Sequence, residues 1–219
     1  TIGCSFTKYH WNTWADYCGS KYKEHINLAR TGAGNQFIAT TITEAFIDYD
    51  ITPNDRIVIQ WSSCQREDRY LSEVDHNGRY NYWRVVGNIF KQSYYDDDWV
   101  EKYTTLEHFV KRDFMLIHNT YYMLKYHNIP FVMTSMVDLY PPYHEKEIMQ
   151  LSMKYVDILQ EIKPSMKKVI FNNVWPDKKT REDQHPTPEE HIMYSEKQLQ
   201  GVINNCLLYT SPSPRDKHR

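Results

Sequence analysis

Long apolar runs are absent from the sequence, and so is a strong net charge of either sign. Apolar stretches such as residues 57–59 are far shorter than the roughly 20 residues that a membrane-spanning helix needs. The formal net charge is −2, which argues against the basic surface of a nucleic-acid-binding domain. We therefore predict neither a membrane partner nor a nucleic-acid partner.

Cysteine and glycine are scarce. The four cysteines show neither CxxC nor zinc-ligand spacing, which predicts reduced thiols, no metal site and a cytoplasmic setting. Only seven glycines occur in 219 residues, so each glycine near a candidate site is informative. With 41% hydrophobic and 25% charged residues, the composition is that of a folded domain rather than a disordered chain.

The two ends of the chain suggest a single domain over residues 1–205. The sequence begins at Thr1 within an apolar segment and shows no signal-peptide pattern, and we expect the first strand to be cut at this end. Residues 206–219 resemble one reading frame of a transposon-type sequencing adapter, which predicts a non-native tail. That tail carries three basic residues and one acidic residue, so without it the net charge changes from −2 to −4.

Short strand-like segments alternate with helical periods along the chain. This order predicts an α/β fold, a three-layer α/β/α doubly wound parallel sheet of flavodoxin-like type. Strands are predicted at residues 1–4, 26–29, 56–61, 131–135 and 168–171. Helices are predicted after Gly34, from Asp98 (with Glu101 as a capping box) to Asn128, over residues 148–162, and from Thr187 with Pro188 at its first position.

A polar, tyrosine-rich stretch at about residues 65–98 interrupts this alternation. Its His-Asn-Gly sequence at 76–78 is a hairpin turn signal, so we predict an inserted hairpin. Its aromatic side chains suit either stacking on sugar rings or a small core of their own, and the second interpretation is favoured. They are Tyr70, Tyr80, Tyr82, Trp83, Tyr94, Tyr95 and Trp99.

Reactive side chains and glycines cluster where the predicted strands end. In a doubly wound sheet, ligands bind beyond the carboxyl ends of the strands. The segments at those ends are residues 3–7, 30–35 and 62–65, and residues 182–186 precede the last helix. Together they supply a serine hydroxyl, glycine turns, a carboxylate and a histidine, which is the set required for acyl transfer through serine.

Three of these segments resemble blocks of the SGNH (GDSL-type) hydrolase superfamily. Gly3-Cys4-Ser5 resembles the Gly-Asp-Ser block, with cysteine in place of aspartate. Asn27 followed five residues later by Gly32 resembles the second block. The Asp-X-His-Pro sequence at residues 183–186 resembles the last block. The order and placement of these motifs along the natural chain make the resemblance.

The resemblance implies an esterase or deacylase that needs no cofactor and no metal. Ser5 would be the nucleophile, His185 the base and Asp183 the carboxylate that orients it, with Glu182 as the alternative carboxylate. The amides of Ser5 and Gly32 would form the oxyanion hole, with Gly34 as the alternative to Gly32. The implied substrate is a small-molecule or carbohydrate ester, for example an acetyl ester.

One block departs from the family pattern. The third block normally supplies an asparagine donor, whereas residues 61–64 read Trp-Ser-Ser-Cys and leave Ser62 or Ser63 as substitutes. Losing such a donor costs a rate factor of roughly a hundred. Two other functions fit the same features: a non-catalytic glycan-binding or virion-associated protein, and an O-acyltransferase. A thiol nucleophile, Cys4 or Cys64, is a disfavoured alternative to Ser5.

Overall fold

Two buried apolar strands form the centre of the fold. The computed structural model describes residues 1–74, 78, 80–91, 94–139 and 146–201. Strand β1 (Ile57–Trp61) is parallel to a second strand, Phe131–Ser135, and all five β1 residues are buried. A strand covered on both faces is expected to be apolar along its whole length, as β1 is. The strands predicted at 56–61 and 131–135 are confirmed, and the fold is mixed α/β.

The strand predicted at residues 1–4 is reduced to one bridge. Ile2 forms an isolated parallel bridge with Ile59, and its amide donates to the Val58 carbonyl over 3.0 Å. The prediction is wrong beyond this point because Cys4 already begins a turn. The first segment therefore lies beside β1 and delivers the next residues to its end.

The strand predicted at residues 26–29 is not formed as a strand. The segment is irregular, although the Leu28 amide donates to the Thr1 carbonyl over 2.9 Å and the Arg30 amide to the Gly3 carbonyl over 3.1 Å. The side chain of Asn27 accepts from the Ala29 amide, a local bond that competes with strand pairing. The segment nevertheless runs beside residues 1–3.

The strand predicted at residues 168–171 is wrong, because these residues belong to a helix, Met166–Phe171. A short apolar run fits either a strand or a helix, and its flanks decide between them. Here Ser165 caps the helix by accepting from the Lys168 amide, and Asn172 ends it in the left-handed conformation at φ 48°.

Two predicted helices are confirmed with their start signals. They follow a short first helix, α1 (Trp14–Gly19), that the sequence pattern does not predict. Helix α2 (Asn35–Asp48) begins after Gly34. The last helix, α8 (Pro188–Gln198), has Thr187 as its cap and proline in its first turn. The capping box is completed by the Glu190 carboxylate, which accepts from the Thr187 amide.

The long helix predicted from Asp98 is two helices. Helix α3 (Asp97–Tyr103) is capped by Asp96, not by Asp98 with Glu101. Helix α4 (Leu106–Tyr126) begins anew because Thr105 caps it through its side chain. The helix predicted over 148–162 is likewise divided, since α5 (Lys146–Lys154) and α6 (Val156–Leu159) are separated at Tyr155. The remaining helix, Met166–Phe171, is α7.

The polar stretch forms the predicted hairpin. Strands β2 (Arg66–Val74) and β3 (Tyr80–Asn88) are antiparallel, and Tyr70 lies opposite Trp83. Phe131–Ser135 is accordingly β4. Most of the turn signal at 76–78 and the whole tail at 206–219 lie outside the described residues. In the described part of the chain, no helix has the length and apolar character to cross a membrane.

Helices α1 and α8 pack together around a buried histidine. His191 of α8 is fully buried, and neither ring nitrogen has a hydrogen-bond partner within the described residues. Burial is the main cause that lowers the pKa of His191 to about 3; Asp16 opposes it, and His185 and Arg181 add smaller contributions in the same direction as burial. His191 is therefore neutral in the folded protein.

This burial predicts a pH-dependent stability. The folded-state pKa of about 3 lies below the ordinary value of 6.5, so the unfolded chain takes up the proton first as the pH falls. Between these values, His191 should lower the free energy of unfolding by up to ~1.4 kcal/mol per pH unit of acidification. In urea denaturation, a His191→Phe variant should lose stability less steeply on acidification than the parent. Equal slopes in the two proteins would contradict this assignment.

Candidate active site

Ser5 lies in a tight turn directly after the segment that bridges to β1. The amides of Thr7 and Lys8 both donate to the Cys4 carbonyl, over 2.9 and 3.1 Å. The Ser5 residue is only 4% exposed, yet it lines an open cavity of about 550 Å³. The turn thus holds the hydroxyl at the wall of a cavity rather than in bulk water.

Ser5, His185 and Asp183 form one chain of hydrogen bonds, the hydrogen-bonded triad. The distance from Ser5 Oγ to His185 Nε2 is 3.0 Å, and that from His185 Nδ1 to Asp183 Oδ1 is 2.7 Å. Asp183 Oδ1 also accepts from the backbone amide of His185 over 2.9 Å. Glu182, the alternative carboxylate, is exposed. The structure therefore brings together the three predicted residues, and Asp183 is the carboxylate that contacts the imidazole.

The charge on Asp183 determines which nitrogen of His185 carries the proton. Partial burial opposes ionisation, but hydrogen bonds from the His185 amide, Tyr9 and the His185 ring outweigh it and lower the pKa of Asp183 to about 2. An ionised carboxylate only accepts, so Nδ1 of His185 is the donor. Nε2 is then left to accept the hydroxyl proton of Ser5, as a general base must.

Two aromatic residues that sequence reasoning missed hold the imidazole. The Tyr9 ring stacks on His185 at 4.1 Å between centroids and 21° between planes, and its hydroxyl donates to Asp183 Oδ2 over 2.7 Å. Phe6 contacts the same imidazole edge-on at 5.4 Å. Both follow Ser5 closely in sequence, but no spacing rule indicates a partner 174 residues away.

Arg181 braces the loop that carries Asp183 and His185. Its Nε donates to the Asp183 carbonyl over 3.0 Å, and another guanidinium nitrogen donates to the His185 carbonyl. Two further donors reach the Glu190 carboxylate of α8 over 2.9 and 2.8 Å. A bidentate pair of this kind fixes orientation as well as position. The loop is thereby tied to the start of α8.

The structure separates Gly32 from Gly34 as oxyanion donors. The Gly34 amide donates to Asp68 Oδ1 over 2.9 Å, so it is already used. The amides of Gly32 and Ser5 have no acceptor within the part of the chain that the structure describes. Gly32 lies in a turn with φ +85°, a conformation that favours glycine. Thr31 donates to the Lys8 carbonyl over 3.3 Å, which places the turn beside the Ser5 loop, although Gly32 itself does not line the Ser5 cavity.

Neither serine of the third block takes the place of the missing asparagine at this cavity. Ser62 is fully buried, and its amide and carbonyl are bound to the side chain of Asn35 over 2.7 and 3.1 Å. Ser63 accepts from the Gln65 amide over 3.2 Å. Neither residue lines the cavity of Ser5, whereas Arg66 of the hairpin does.

The alternative thiol nucleophiles are poorly placed. Cys4 is fully buried, and its sulfur faces Met136 Sδ at 3.5 Å. Cys64 is also buried, which raises the pKa of its thiol and disfavours the reactive thiolate. Within the described range, Cys4, Cys18 and Cys64 form no disulfide bond, and Cys206 lies outside that range.

Several of the hairpin aromatics pack on protein, whereas Tyr70 and Tyr94 are exposed. Tyr95 stacks on Trp99 at 4.7 Å, and the Arg69 guanidinium lies 4.7 Å from the Trp99 ring. Trp83 contacts Tyr70 and also Phe37 of α2, at 5.6 and 5.7 Å. These contacts favour the interpretation of a small local core. Among the described residues, no group of three or more His, Cys, Asp or Glu side chains could hold a metal ion.

Comparison with known proteins gives no independent assignment of function. No protein-family model matches the chain, and no curated protein matches it. The chemical interpretation of the site therefore depends on its own geometry and on the motif resemblance.

The Asp68 carboxylate anchors the glycine turn and yields a stability prediction. It is fully buried and accepts from the amides of Gly34 and Phe37, over 2.9 and 3.0 Å. An Asp68→Ala variant leaves both donors buried without a partner, at ~1–3 kcal/mol each. We expect chemical denaturation to show a loss of about 2–5 kcal/mol, against under ~0.5 kcal/mol for the exposed control Asp48→Ala. A loss equal to that of the control would contradict the anchoring role.

The hydroxyl of Tyr9 yields a kinetic prediction. Tyr9→Phe keeps the ring on His185 but removes a hydrogen bond to a charged acceptor, which is worth ~1.5–3 kcal/mol. In an assay of the ester hydrolysis that the motif resemblance implies, we expect kcat to fall about tenfold with a smaller change in KM. Tyr9→Ala should lower kcat further, whereas Tyr126→Phe, at an 83% exposed position, should match the parent. Equal kcat values for Tyr9→Phe and the parent would show that Tyr9 does not position the triad.

Proposed function

We propose that the protein is a serine hydrolase of the SGNH type that cleaves an ester of a small molecule or carbohydrate, such as an acetyl ester. The single observation that carries this proposal is the hydrogen-bonded triad, with Ser5 Oγ 3.0 Å from His185 Nε2. A hydroxyl nucleophile, an adjacent base and an orienting carboxylate are the recurring requirements of this chemistry.

In the first half of the reaction, Ser5 Oγ attacks the ester carbonyl while His185 Nε2 accepts the hydroxyl proton. The carbonyl oxygen gains the negative charge and is stabilised by the amides of Ser5 and Gly32, which have no acceptor among the described residues, each amide being worth roughly 3 kcal/mol. The protonated imidazole is stabilised by Asp183. His185 then returns the proton to the leaving alcohol oxygen, and the ester C–O bond breaks to give an acyl-enzyme.

In the second half, a water molecule replaces the alcohol. His185 Nε2 accepts one proton from the water, whose oxygen attacks the acyl carbon. The bond from the acyl carbon to Ser5 Oγ breaks, Ser5 regains its proton from His185, and the carboxylic acid leaves. The cycle consumes one ester and one water and needs no redox group.

The backbone hydrogen bonds support a doubly wound sheet of this superfamily's type. Residues 28–30 bond to residues 1–3, which in turn bond to β1, and β1 pairs with β4. At the other side of β4, the Lys163 amide donates to the Met133 carbonyl over 2.9 Å. The segments therefore lie in the order 28–30, 1–3, β1 and β4, which matches the first four positions of the flavodoxin-like order 2-1-3-4-5, whereas residues 168–171, predicted as the fifth strand, form helix α7. Ser5 then lies beyond the carboxyl end of the first segment, where such folds bind ligands.

Replacement of the nucleophile tests this function. Ser5→Ala removes the attacking oxygen, so kcat for 4-nitrophenyl acetate should fall at least ~1,000-fold. Ser72→Ala, on an exposed part of β2, is the matched control and should retain the parent rate. Circular dichroism of each variant establishes that the fold is kept.

Three outcomes would contradict or replace the proposal. Equal rates for Ser5→Ala and the parent would contradict it, as would a folded parent that hydrolyses no ester, which favours the binding-protein alternative. Acyl transfer to an added sugar hydroxyl in preference to water would instead indicate an O-acyltransferase with the same triad.

A further inference from the structure

A second cavity adjoins the cavity of Ser5. It measures about 350 Å³, and the two share Arg66, Met136 and Trp175 as lining residues. Arg66 Nη1 donates to the Ala33 carbonyl over 2.9 Å, and Nη2 lies 3.5 Å from Met136 Sδ. These contacts hold the guanidinium at the junction of the two cavities. A substrate held at Ser5 can therefore extend past Arg66 into the second cavity.

Among the described residues, the cations of this junction form no salt bridge, although the charge of Arg66 opposes the rise that burial causes in the pKa of Asp68. Arg66 and Lys167 are half-buried, and Lys178 is exposed at the rim of the Ser5 cavity. Within the described ranges, none of the three has a carboxylate oxygen within salt-bridge distance. Lys167 lies on the face of Trp175, 5.1 Å from the ring centre, which directs its ammonium group along the cavity wall. Cationic side chains that form no salt bridge are available to bind an anion.

Two carboxylates near the junction accept hydrogen bonds from other side chains. Asp138, in the second cavity, accepts from Ser165 Oγ over 2.6 Å and from Asn173 Nδ2 over 3.1 Å. Asp183 accepts from Tyr9 and His185. The exposed Glu182 lies at the rim of the Ser5 cavity, not in the second cavity. The second cavity is lined by three cationic side chains, Arg66, Lys91 and Lys167, against the single carboxylate of Asp138, so its lining keeps a net positive charge.

We propose that the second cavity is a subsite for an anionic group of the substrate, a carboxylate or a phosphate, held by Arg66 and Lys167. The inference deepens the proposed function and rests on it: the ester is that of an acidic molecule, and its negative group lies beside the reacting carbonyl. Arginine is suited to this role because its planar donors match the paired oxygens of carboxylate and phosphate.

Paired substrates test the subsite. The parent should show a KM at least tenfold lower for acetylated methyl glucuronoside or acetylated glucose 6-phosphate than for acetylated methyl glucoside. The carboxylate and phosphate esters distinguish the two sources of charge. Arg66→Gln and Lys167→Gln should each raise KM for the preferred anionic ester at least fivefold and reduce the preference over the neutral ester. Lys111→Gln removes an exposed charge outside both cavities and should retain the preference.

Other outcomes would overturn the subsite. If the parent hydrolyses neutral and anionic esters with equal KM, the subsite is overturned and the proposed function is left intact. An equal loss of kcat on all three esters in Arg66→Gln, with KM unchanged, would instead assign Arg66 to the oxyanion. The Lys167→Gln variant keeps the test decisive if Arg66→Gln fails to fold.

A binding measurement separates the two proposals. Isothermal titration of the Ser5→Ala protein with glucuronate and with inorganic phosphate needs no catalysis. Binding that weakens at least fivefold when Arg66→Gln is added supports the subsite, even if the parent hydrolyses no ester. Binding of neither anion would overturn the subsite, whatever the hydrolytic rates.

Discussion

Asp183 Oδ1 accepts two hydrogen bonds from one residue, the amide and the imidazole of His185. This double contact fixes the backbone and the ring of His185 together, so the direction of Nε2 follows from the loop conformation. Tyr9 completes the arrangement by binding the other carboxylate oxygen and covering the ring. The low pKa of Asp183 keeps its charge present wherever the protein is folded near neutrality. The Ser5 hydroxyl meets an imidazole that is already oriented to accept its proton.

The hairpin positions the other half of the site through buried charge. Arg112 of α4 donates to Glu67, to Asp113 and to the Arg66 carbonyl, over 2.9, 2.8 and 2.7 Å. Burial raises the pKa of Asp113 to about 6, against the opposing effects of Arg112 and Asn35. Removing one member of such a network leaves an uncompensated charge, so its geometry is tightly determined. The hairpin is therefore the element that brings Asp68 to the glycine turn and Arg66 to the cavity junction.

Local signals were sufficient for part of the structure. The cap formed by Thr187 and Glu190 and the continuous apolar run of β1 depend on neighbouring residues only, and both were predictable. The triad was found because its motifs resemble known blocks, although its members are 180 residues apart. Helix α7 was missed because its short apolar run also fits a strand, and only the Ser165 cap decides.

Other parts of the site had no sequence signal. The contact of Tyr9 with Asp183 and the place of Arg66 beside Ser5 arise from tertiary packing, which spacing does not encode. The interruption of the long helical stripe at Thr105 depends on a cap inside an otherwise regular apolar period. The distinction between Gly32 and Gly34 likewise required Asp68, which is 34 residues from Gly34 in sequence.

The central claim is that Ser5 is a nucleophile activated by His185. Its most direct test is to treat the folded parent with a fluorophosphonate probe and locate the covalent adduct by peptide mass spectrometry. The account predicts one adduct, on Ser5, formed far more slowly in a His185→Gln variant that retains the fold. An adduct on Cys4 or on another serine, or equally fast labelling of His185→Gln, would contradict it.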